Sequence, residues 1–248
     1  MLWYKAWRES SGRFLIAASI ITAMCLVYTL CHAQLYPGIA KGHSAVGNYT
    51  QYIHWTIFGG ATRGVLQLSC LLLGLGGLQR DRKQNTLGYT LSLPVTRFRL
   101  LISRAVVGIL QVLVLAAVPC FTVTVGSSVA GQQLPFDYAF PFFPLWAAGG
   151  IFTFAVSFLA SVLFSSEYVA LALSYVGYVF YLAAVRHPAV SRFHLNVADF
   201  MSCVFPHYLD RSTKLWTGAY DLAPIAGFLA VAMSLIALGG LVTSRQDA

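Results

Sequence analysis

The chain of 248 residues is 58% hydrophobic and only 10% charged, with 16 Lys and Arg against 8 Asp and Glu. So few charged side chains cannot cover a soluble domain of this length, and the composition excludes an ordinary soluble protein. The net charge of +8 is explained by loop Lys and Arg that face anionic lipid headgroups. We therefore infer a lipid bilayer as partner and no nucleic acid.

Apolar segments that are long enough to cross a bilayer occur six times. A spanning helix needs roughly 20 apolar residues, and the candidates in chain order are 14–34, 53–78, 105–125, 142–164, 168–185 and 223–243. Open strands in lipid would leave backbone groups without partners, so the segments are predicted to be helices. No repeat or polar linker divides the chain. The sequence thus predicts a single all-α membrane domain over residues 1–248.

Orientation follows from the distribution of cations, because Lys and Arg favour cytoplasmic loops. An internal N-terminus places ten of them inside and five outside. The inner ten are Lys5, Arg8, Arg13, Arg80, Arg82, Lys83, Arg97, Arg99, Arg104 and Arg245, and the outer five are Lys41, Arg186, Arg192, Arg211 and Lys214. We expect six spans in the plasma membrane with both termini cytoplasmic. A competing interpretation treats residues 1–33 as a cleaved signal peptide, which leaves the later topology unchanged.

The first residues carry Leu2, Trp3, Ala6 and Trp7 at helical spacing with cations between them. Apolar and aromatic side chains on one face and charges on the other are typical of a helix at headgroup depth. We predict an N-terminal interfacial helix before the first span. A basic anchor that only fixes topology explains the charges equally well.

The basic segment 79–104 reads QRDRKQNTLGYTLSLPVTRFRLLISR and carries six Lys or Arg residues. Leu87, Leu91, Leu93 and Pro94 lie between these charges. Apolar side chains in a cytoplasmic loop are exposed to water unless a membrane or another protein covers them. The pattern therefore predicts a docking surface.

The basic segment also resembles the cytoplasmic loop of type 2 ATP-binding cassette (ABC) exporter permeases. That family has a Gly-Thr-Leu tripeptide, a run like Leu-Ser-Leu-Pro-Val-Ser-Arg and a basic start to the next helix. Matching residues are Thr86-Leu87, the run Leu91 to Arg97, Arg99 and Arg104, whereas Asn85 replaces the usual Gly. The turn within Phe158 to Ser174 and the basic N-terminal helix are similar to the family as well.

The resemblance implies a cytoplasmic coupling helix that binds a separate ABC ATPase subunit. The implied coupling residues are Thr86, Leu87, Leu91, Leu93, Pro94 and Arg97. This chain has no GxxxxGK[ST] phosphate loop, so no cofactor is expected on it, and ATP and Mg belong to the partner. Homodimers or heterodimers of similar permeases would move an unknown substrate outward. Permeases that serve metalloenzyme maturation or antimicrobial-peptide self-protection are alternatives within the family.

Arg63 is the residue of the second span that is costliest to place in lipid. The stretch from Gly64 to the end of that span would be only about 22 Å long at 1.5 Å per residue, so Arg63 must enter the membrane. Gly60, Gly64 and Gln67 share its face. Arg63 and Gln67 are candidates for a translocation path or for binding an acidic substrate group. Alternatively, Arg63 snorkels beside a packing seam, which the spacing of Gly60 and Gly64 favours.

The exterior segment 186–222 also has a helical pattern. Its predicted apolar face comprises Val190, Phe193, Val197, Phe200, Met201 and Val204. Such a helix would lie on or dip into the outer leaflet. The spacing of His187, His194 and His207 defines no ligand motif, so no metal site is predicted.

Two other classes of protein share this composition. A polytopic membrane enzyme needs catalytic groups at membrane depth, but HExxH, GxSxG and paired intramembrane carboxylates are missing from the sequence. The chain is therefore expected not to be an enzyme. A structural or sensory membrane subunit without transport is disfavoured only by the resemblance.

Overall fold

A computed structural model describes residues 2–42, 48–75, 97–132, 134–164, 166–187, 196–203, 209 and 222–245. Its described elements are all helical. They are α1 (Leu2–Leu30), α2 (His32–Gly42), α3 (Tyr49–Ile53), a π-helical turn (His54–Phe58), α4 (Ala61–Gly74), α5 (Arg97–Val129), α6 (Phe136–Ala139), α7 (Phe142–Leu163), α8 (Glu167–Arg186), α9 (Val197–Met201) and α10 (Leu222–Arg245).

Six stretches of the described chain are long and apolar enough to cross a membrane, which confirms the predicted all-α, six-span architecture. They are Trp3–Leu30, Tyr49–Gly74, Arg99–Val129, Phe142–Leu163, Tyr168–Arg186 and Leu222–Thr243. The last three agree closely with the sequence-based bounds. The first two begin and end earlier than predicted, and the third is longer at both ends.

The N-terminal residues continue into the first span as one helix rather than as a separate one, and their position at the membrane interface stays a prediction. Helix α1 is continuous over 29 residues, or about 43 Å at 1.5 Å per residue. No Pro and only Gly12 interrupt this stretch, so its sequence contains no strong helix breaker. Trp3 and Trp7 are exposed on its first turns. Because about 30 Å suffices to span the hydrocarbon, part of α1 extends beyond it.

The second span is broken near its middle. A π-helical turn ends at Phe58, the chain bends at Gly59 and Gly60, and α4 begins at Ala61. A Cβ on Gly60 would collide with the carbonyl oxygens of Trp55 and Thr56. Glycine therefore permits this tight bend because it has no side chain.

Helix α7 is the most buried span and packs against α4, α5, α8, α9 and α10. Close approach to α4 requires Gly74, where a Cβ would lie 2.7 Å from the Phe154 carbonyl oxygen. Helices α8 and α10 are the least buried spans. Many of their exposed side chains are large and apolar, among them Leu173, Phe180 and Met233, as expected where helices face lipid.

The N-terminal ends of α1 and α5 meet the C-terminal ends of α4 and α7 at one end of the bundle. We call it the basic end, because Lys5, Arg8, Arg13, Arg99 and Arg104 lie on the turns that form it. At the opposite, far end, Phe58 stacks on Phe142 at a ring-centroid distance of 3.9 Å. Trp146 and Tyr138 close this aromatic core from the sides.

Candidate functional site

Arg63 lies on the first turns of α4, directly after the glycine bend. Its Nη1 donates a hydrogen bond of 2.7 Å to the carbonyl oxygen of Ala198 in α9. Twelve residues separate Arg63 from Leu75 at the basic end, which corresponds to about 18 Å of helix. Arg63 therefore lies well away from the basic end of α4, and its predicted entry into the membrane stays a prediction.

The acceptor helix α9 is a buried plug rather than a surface helix. Val197 and Met201 are completely buried, and Phe200 is nearly so. Asn196 caps the helix by accepting a hydrogen bond from the Ala198 amide at 3.1 Å. Trp146 Nε1 donates to the Met201 carbonyl oxygen at 3.1 Å. These contacts attach α9 to the central helix α7.

The predicted apolar face of the exterior segment is thus confirmed at Val197, Phe200 and Met201, but its partner is protein rather than the outer leaflet. Phe200 packs on Phe228 of α10 at a ring-centroid distance of 4.6 Å. The predicted positions Val190, Phe193 and Val204 lie outside the described residues.

Gln67 lies one turn beyond Arg63 and is also buried. Its Nε2 donates to the Met201 sulfur at 3.3 Å. The structure therefore brings the two predicted path residues together at the plug, where both bind α9. Their predicted place on a translocation path stays a prediction.

Gly60 and Gly64 do not form the predicted packing seam with any of the described residues. Gly60 is the last residue of the bend before α4. Gly64 is exposed, and a Cβ built there would meet nothing within 4 Å. The first glycine of this spacing lies at a helix break, because the backbone of Gly60 approaches the carbonyl groups of Trp55 and Thr56 closely.

Tyr178 of α8 completes the surroundings of Arg63, and sequence reasoning missed it. Its hydroxyl interacts electrostatically with Arg63 and lies close to Gln67. Within the described chain this buried hydroxyl forms no hydrogen bond of good geometry, and the same is true of Arg63 Nε. Helix α8 contains four tyrosines in similarly apolar sequence surroundings, so no pattern in the sequence distinguishes Tyr178.

A second polar site lies at the basic end, around the last turn of α4. Arg13 Nη1 of α1 donates to the carbonyl oxygens of Leu72 at 3.1 Å and Leu75 at 2.6 Å. The last carbonyls of a helix have no partner inside it and carry partial negative charge. The Ser157 hydroxyl donates to the Leu71 carbonyl at 2.6 Å. Arg13 therefore caps the helix that leads into the basic segment 79–104.

Helix α5, which begins within this segment at Arg97, is also attached to α1. Arg104 Nη2 lies 2.8 Å from Glu9 Oε2, and Lys5 Nζ lies 3.8 Å from Glu9 Oε1. Gln111 is completely buried and donates to Ser10 Oγ at 2.8 Å. We call these contacts, together with those of Arg13, the α1 clamp.

A cavity opens beside the α1 clamp, between α1, α4, α5 and α7. The clamp residues on its wall are Glu9, Ser10, Arg13, Arg104 and Gln111. Gln111 Oε1 is buried and has no partner in the described chain. A small polar cavity of this kind suits a bound water molecule. One sequence signal was available for the clamp, since Glu9 is the only acidic residue before Asp81.

The predicted coupling residues Thr86, Leu87, Leu91, Leu93 and Pro94 lie outside the described residues. Arg97 is the first residue of α5. The coupling role of these residues therefore stays a prediction. Helix α1 binds both α4 and α5, the helices on either side of the predicted coupling residues.

The far end carries a cluster of aromatic rings around His32. The His32 ring contacts Tyr49 and Tyr52 edge-on, at centroid distances of 4.9 and 4.8 Å. Its Nε2 is buried and has no partner in the part of the chain that the structure describes. Burial lowers the pKa of His32, because the imidazolium form loses hydration there.

No family model matches this sequence, and no match to it is found among curated proteins. The class of the molecule therefore follows from its architecture. It is a multi-pass helical membrane protein, and polar contacts join its described helices at the α1 clamp and around Arg63.

Proposed function

We propose that this chain is the transmembrane permease subunit of an ABC-type exporter in the plasma membrane. A separate ATPase subunit would bind the basic segment 79–104, and two permease chains, identical or similar, would assemble with two ATPases. The observation that carries the proposal is the order of residues from Thr86 to Arg97, with leucines set among cations. The described fold supports it through six spanning helices.

The proposed orientation places the basic end and both termini in the cytoplasm. It is supported by the excess of Lys and Arg on the segments that meet there, since cations are retained on the cytoplasmic side. Reporter fusions after Gln84 and at the C-terminus should then report cytoplasm. Fusions after Gln133 and Thr213 should report the exterior, and a cytoplasmic signal after Gln133 would contradict this topology.

The α1 clamp supplies a route by which such a loop would act on the bundle. Arg13 binds the end of the helix before the loop, and Glu9 binds Arg104 near the start of the helix after it. A displacement of the loop would therefore be transmitted to α1 as well as to α4 and α5. ATP binding to the partner would close this end and move the substrate outward.

The proposal is tested by truncating the apolar side chains of the loop. Each fully buried leucine contributes about 2 kcal/mol to a contact. Leu87→Ala combined with Leu91→Ala should abolish substrate-stimulated ATP hydrolysis by the complex while the permease still inserts in the membrane. Arg82→Gln with Lys83→Gln is the matched control and should give a milder defect, because rim cations chiefly steer association. Normal coupling by the double leucine variant would overturn the proposal.

A further inference from the structure

Arg63 is a largely buried cation whose only hydrogen-bond acceptor in the described chain is a neutral carbonyl group. Nη1 binds the Ala198 carbonyl oxygen, and Nε has no partner there. Burying a charge is costly unless an opposite charge and hydrogen bonds compensate for it. Among the residues that the structure describes, the guanidinium therefore has no direct counter-ion.

The nearby charges of the described residues do not neutralise the Arg63 guanidinium. Arg63 interacts electrostatically with Asp199 and Arg186. Two cations, Arg63 and Arg186, therefore lie near one carboxylate. Asp199 Oδ2 accepts a hydrogen bond of 2.7 Å from Asn196 Nδ2. Within the described chain Asp199 forms no ion pair with Arg63. Among the described residues, the charge of the Arg63 guanidinium is therefore not balanced by a carboxylate that binds it.

The Tyr178 hydroxyl adds a second donor at this place. Tyr178 is only 8% exposed, and its buried hydroxyl interacts with Arg63 and lies close to Gln67, but it forms no hydrogen bond of good geometry in the described residues. A guanidinium N–H and a phenol O–H both donate hydrogen bonds. Two such donors, one of them a cation that no carboxylate binds in the described residues, fit one kind of ligand group, an anionic acceptor.

We propose that Arg63 and Tyr178 bind the acidic group of a ligand, a carboxylate or a phosphate. Such a group is a stronger acceptor than a neutral carbonyl, because charge-assisted hydrogen bonds are roughly twice as strong as neutral ones. It therefore competes with Ala198 for Nη1. Binding of the acidic group loosens the contact that holds α9 on α4.

The role of this site rests on the proposed function, because the acidic ligand would be the substrate of the exporter. The plug α9 then opens when that group reaches Arg63. Binding itself requires no ATPase. A failed binding test consequently overturns the acidic site alone, and the leucine experiment on the loop remains an independent test of the exporter proposal.

The test uses the purified full-length chain in dodecyl maltoside, without ATPase. Dodecyl phosphate and dodecanoate are added as probes, since they carry the tail of the detergent and an acidic head. Both should raise the apparent Tm of the wild-type protein saturably, followed by tryptophan fluorescence. Arg63→Gln should need at least tenfold more probe for half the effect. Arg99→Gln, an equal loss of charge on an exposed side chain, should respond like wild type.

Tyr178→Phe provides a second measurement that does not depend on changing the arginine. Removing a buried hydroxyl that forms no hydrogen bond of good geometry relieves its desolvation penalty, so the apparent Tm without probe should stay equal or rise. The response to dodecyl phosphate should weaken. A fall in Tm without probe, or equal probe responses of Arg63→Gln and wild type, would overturn the proposal.

A third arm distinguishes two sources of the same chemistry. Phosphatidylglycerol is added to the micelles, with phosphatidylcholine as the control lipid. No response that depends on Arg63 is expected, which supports a diffusible acidic ligand. A saturable response to phosphatidylglycerol that Arg63→Gln removes would overturn the substrate assignment and make the site one for a lipid headgroup.

Discussion

Arg13 and Arg63 both donate to backbone carbonyl groups, yet their surroundings differ. Arg13 binds two carbonyls at a helix C-terminus, where partial negative charge accumulates, and the Glu9–Arg104 pair lies beside it. Arg63 binds one carbonyl, with Asp199 and a second cation nearby and with a buried hydroxyl that forms no hydrogen bond of good geometry in the described chain. The first arrangement is electrostatically complementary and stabilises the fold. The surroundings of Arg63 in the described chain are less complementary, which is typical of a ligand-binding site.

The largest expected loss of stability comes from replacing Arg13 in the α1 clamp. Arg13→Gln removes charged hydrogen bonds worth about 1.5–3 kcal/mol each and exposes the end of α4 to fraying. We expect a loss of roughly 3 kcal/mol in the free energy of unfolding, measured by denaturant titration in micelles. Arg8→Gln, on an exposed position of the same helix, should cost almost nothing.

Arg63→Gln should cost clearly less than Arg13→Gln, because removing a buried charge without a counter-ion also removes its desolvation penalty. Equal losses for Arg13→Gln and Arg63→Gln would contradict the distinction between the two arginines.

The glycine bend that places Arg63 gives the next largest effect. Gly60→Ala inserts a Cβ against two carbonyl oxygens, and overpacking of this kind costs about 1–3 kcal/mol. Gly64→Ala is the matched control four residues later, where the space is open. Thermal unfolding should show a lower Tm for Gly60→Ala only. A similar fall for Gly64→Ala would restore the packing seam that the sequence predicted.

A smaller effect sharpens the account of the clamp. Glu9→Gln and Arg104→Gln each remove one partner of a partly exposed ion pair. Exposed pairs contribute up to about 1 kcal/mol, so the double-mutant cycle should show a coupling of that order. High salt should reduce it, because screening weakens partly exposed pairs. Strict additivity of the two losses would show that Glu9 and Arg104 act separately.

The smallest effect concerns the far end, where His32 also lies among groups that favour its neutral form. Its pKa is lowered in the fold, so the unfolded chain binds the proton more readily. Stability should be complete above the unfolded pKa of about 6.5 and should fall as the pH drops below it. His32→Phe should flatten this part of the profile of Tm against pH. A profile unchanged by the substitution would exclude His32 as its cause.

Much of the fold was predictable, because long apolar segments have few alternatives in lipid. The span Phe142–Leu163 was found almost to the residue, since polar or turn residues bound it on both sides. The break at Gly60 was missed because GxxxG spacing is equally compatible with close packing. The course of α1 was missed because charges near an interface do not end a helix when the backbone has no breaker.

The candidate sites were predictable only in part. Arg63 and Gln67 were identified because charged and polar residues stand out in an apolar span. Their partners, Ala198 and Tyr178, are 135 and 115 residues away from Arg63 in the chain. Such contacts arise from tertiary packing, which a local pattern does not encode. Arg13 was read as a topology signal, whereas its hydrogen bonds to α4 depend on how α1 crosses that helix.

The central claim, that this chain docks on an ATPase, is tested most directly by cross-linking from the basic segment. Leu87→Cys in the full complex, treated with a short thiol cross-linker, should trap the ATPase subunit as one specific product. Val129→Cys, an exposed site at the far end of α5, is the control and should trap none. A product of the same yield from both positions, or no ATPase product from Leu87→Cys, would contradict the exporter assignment.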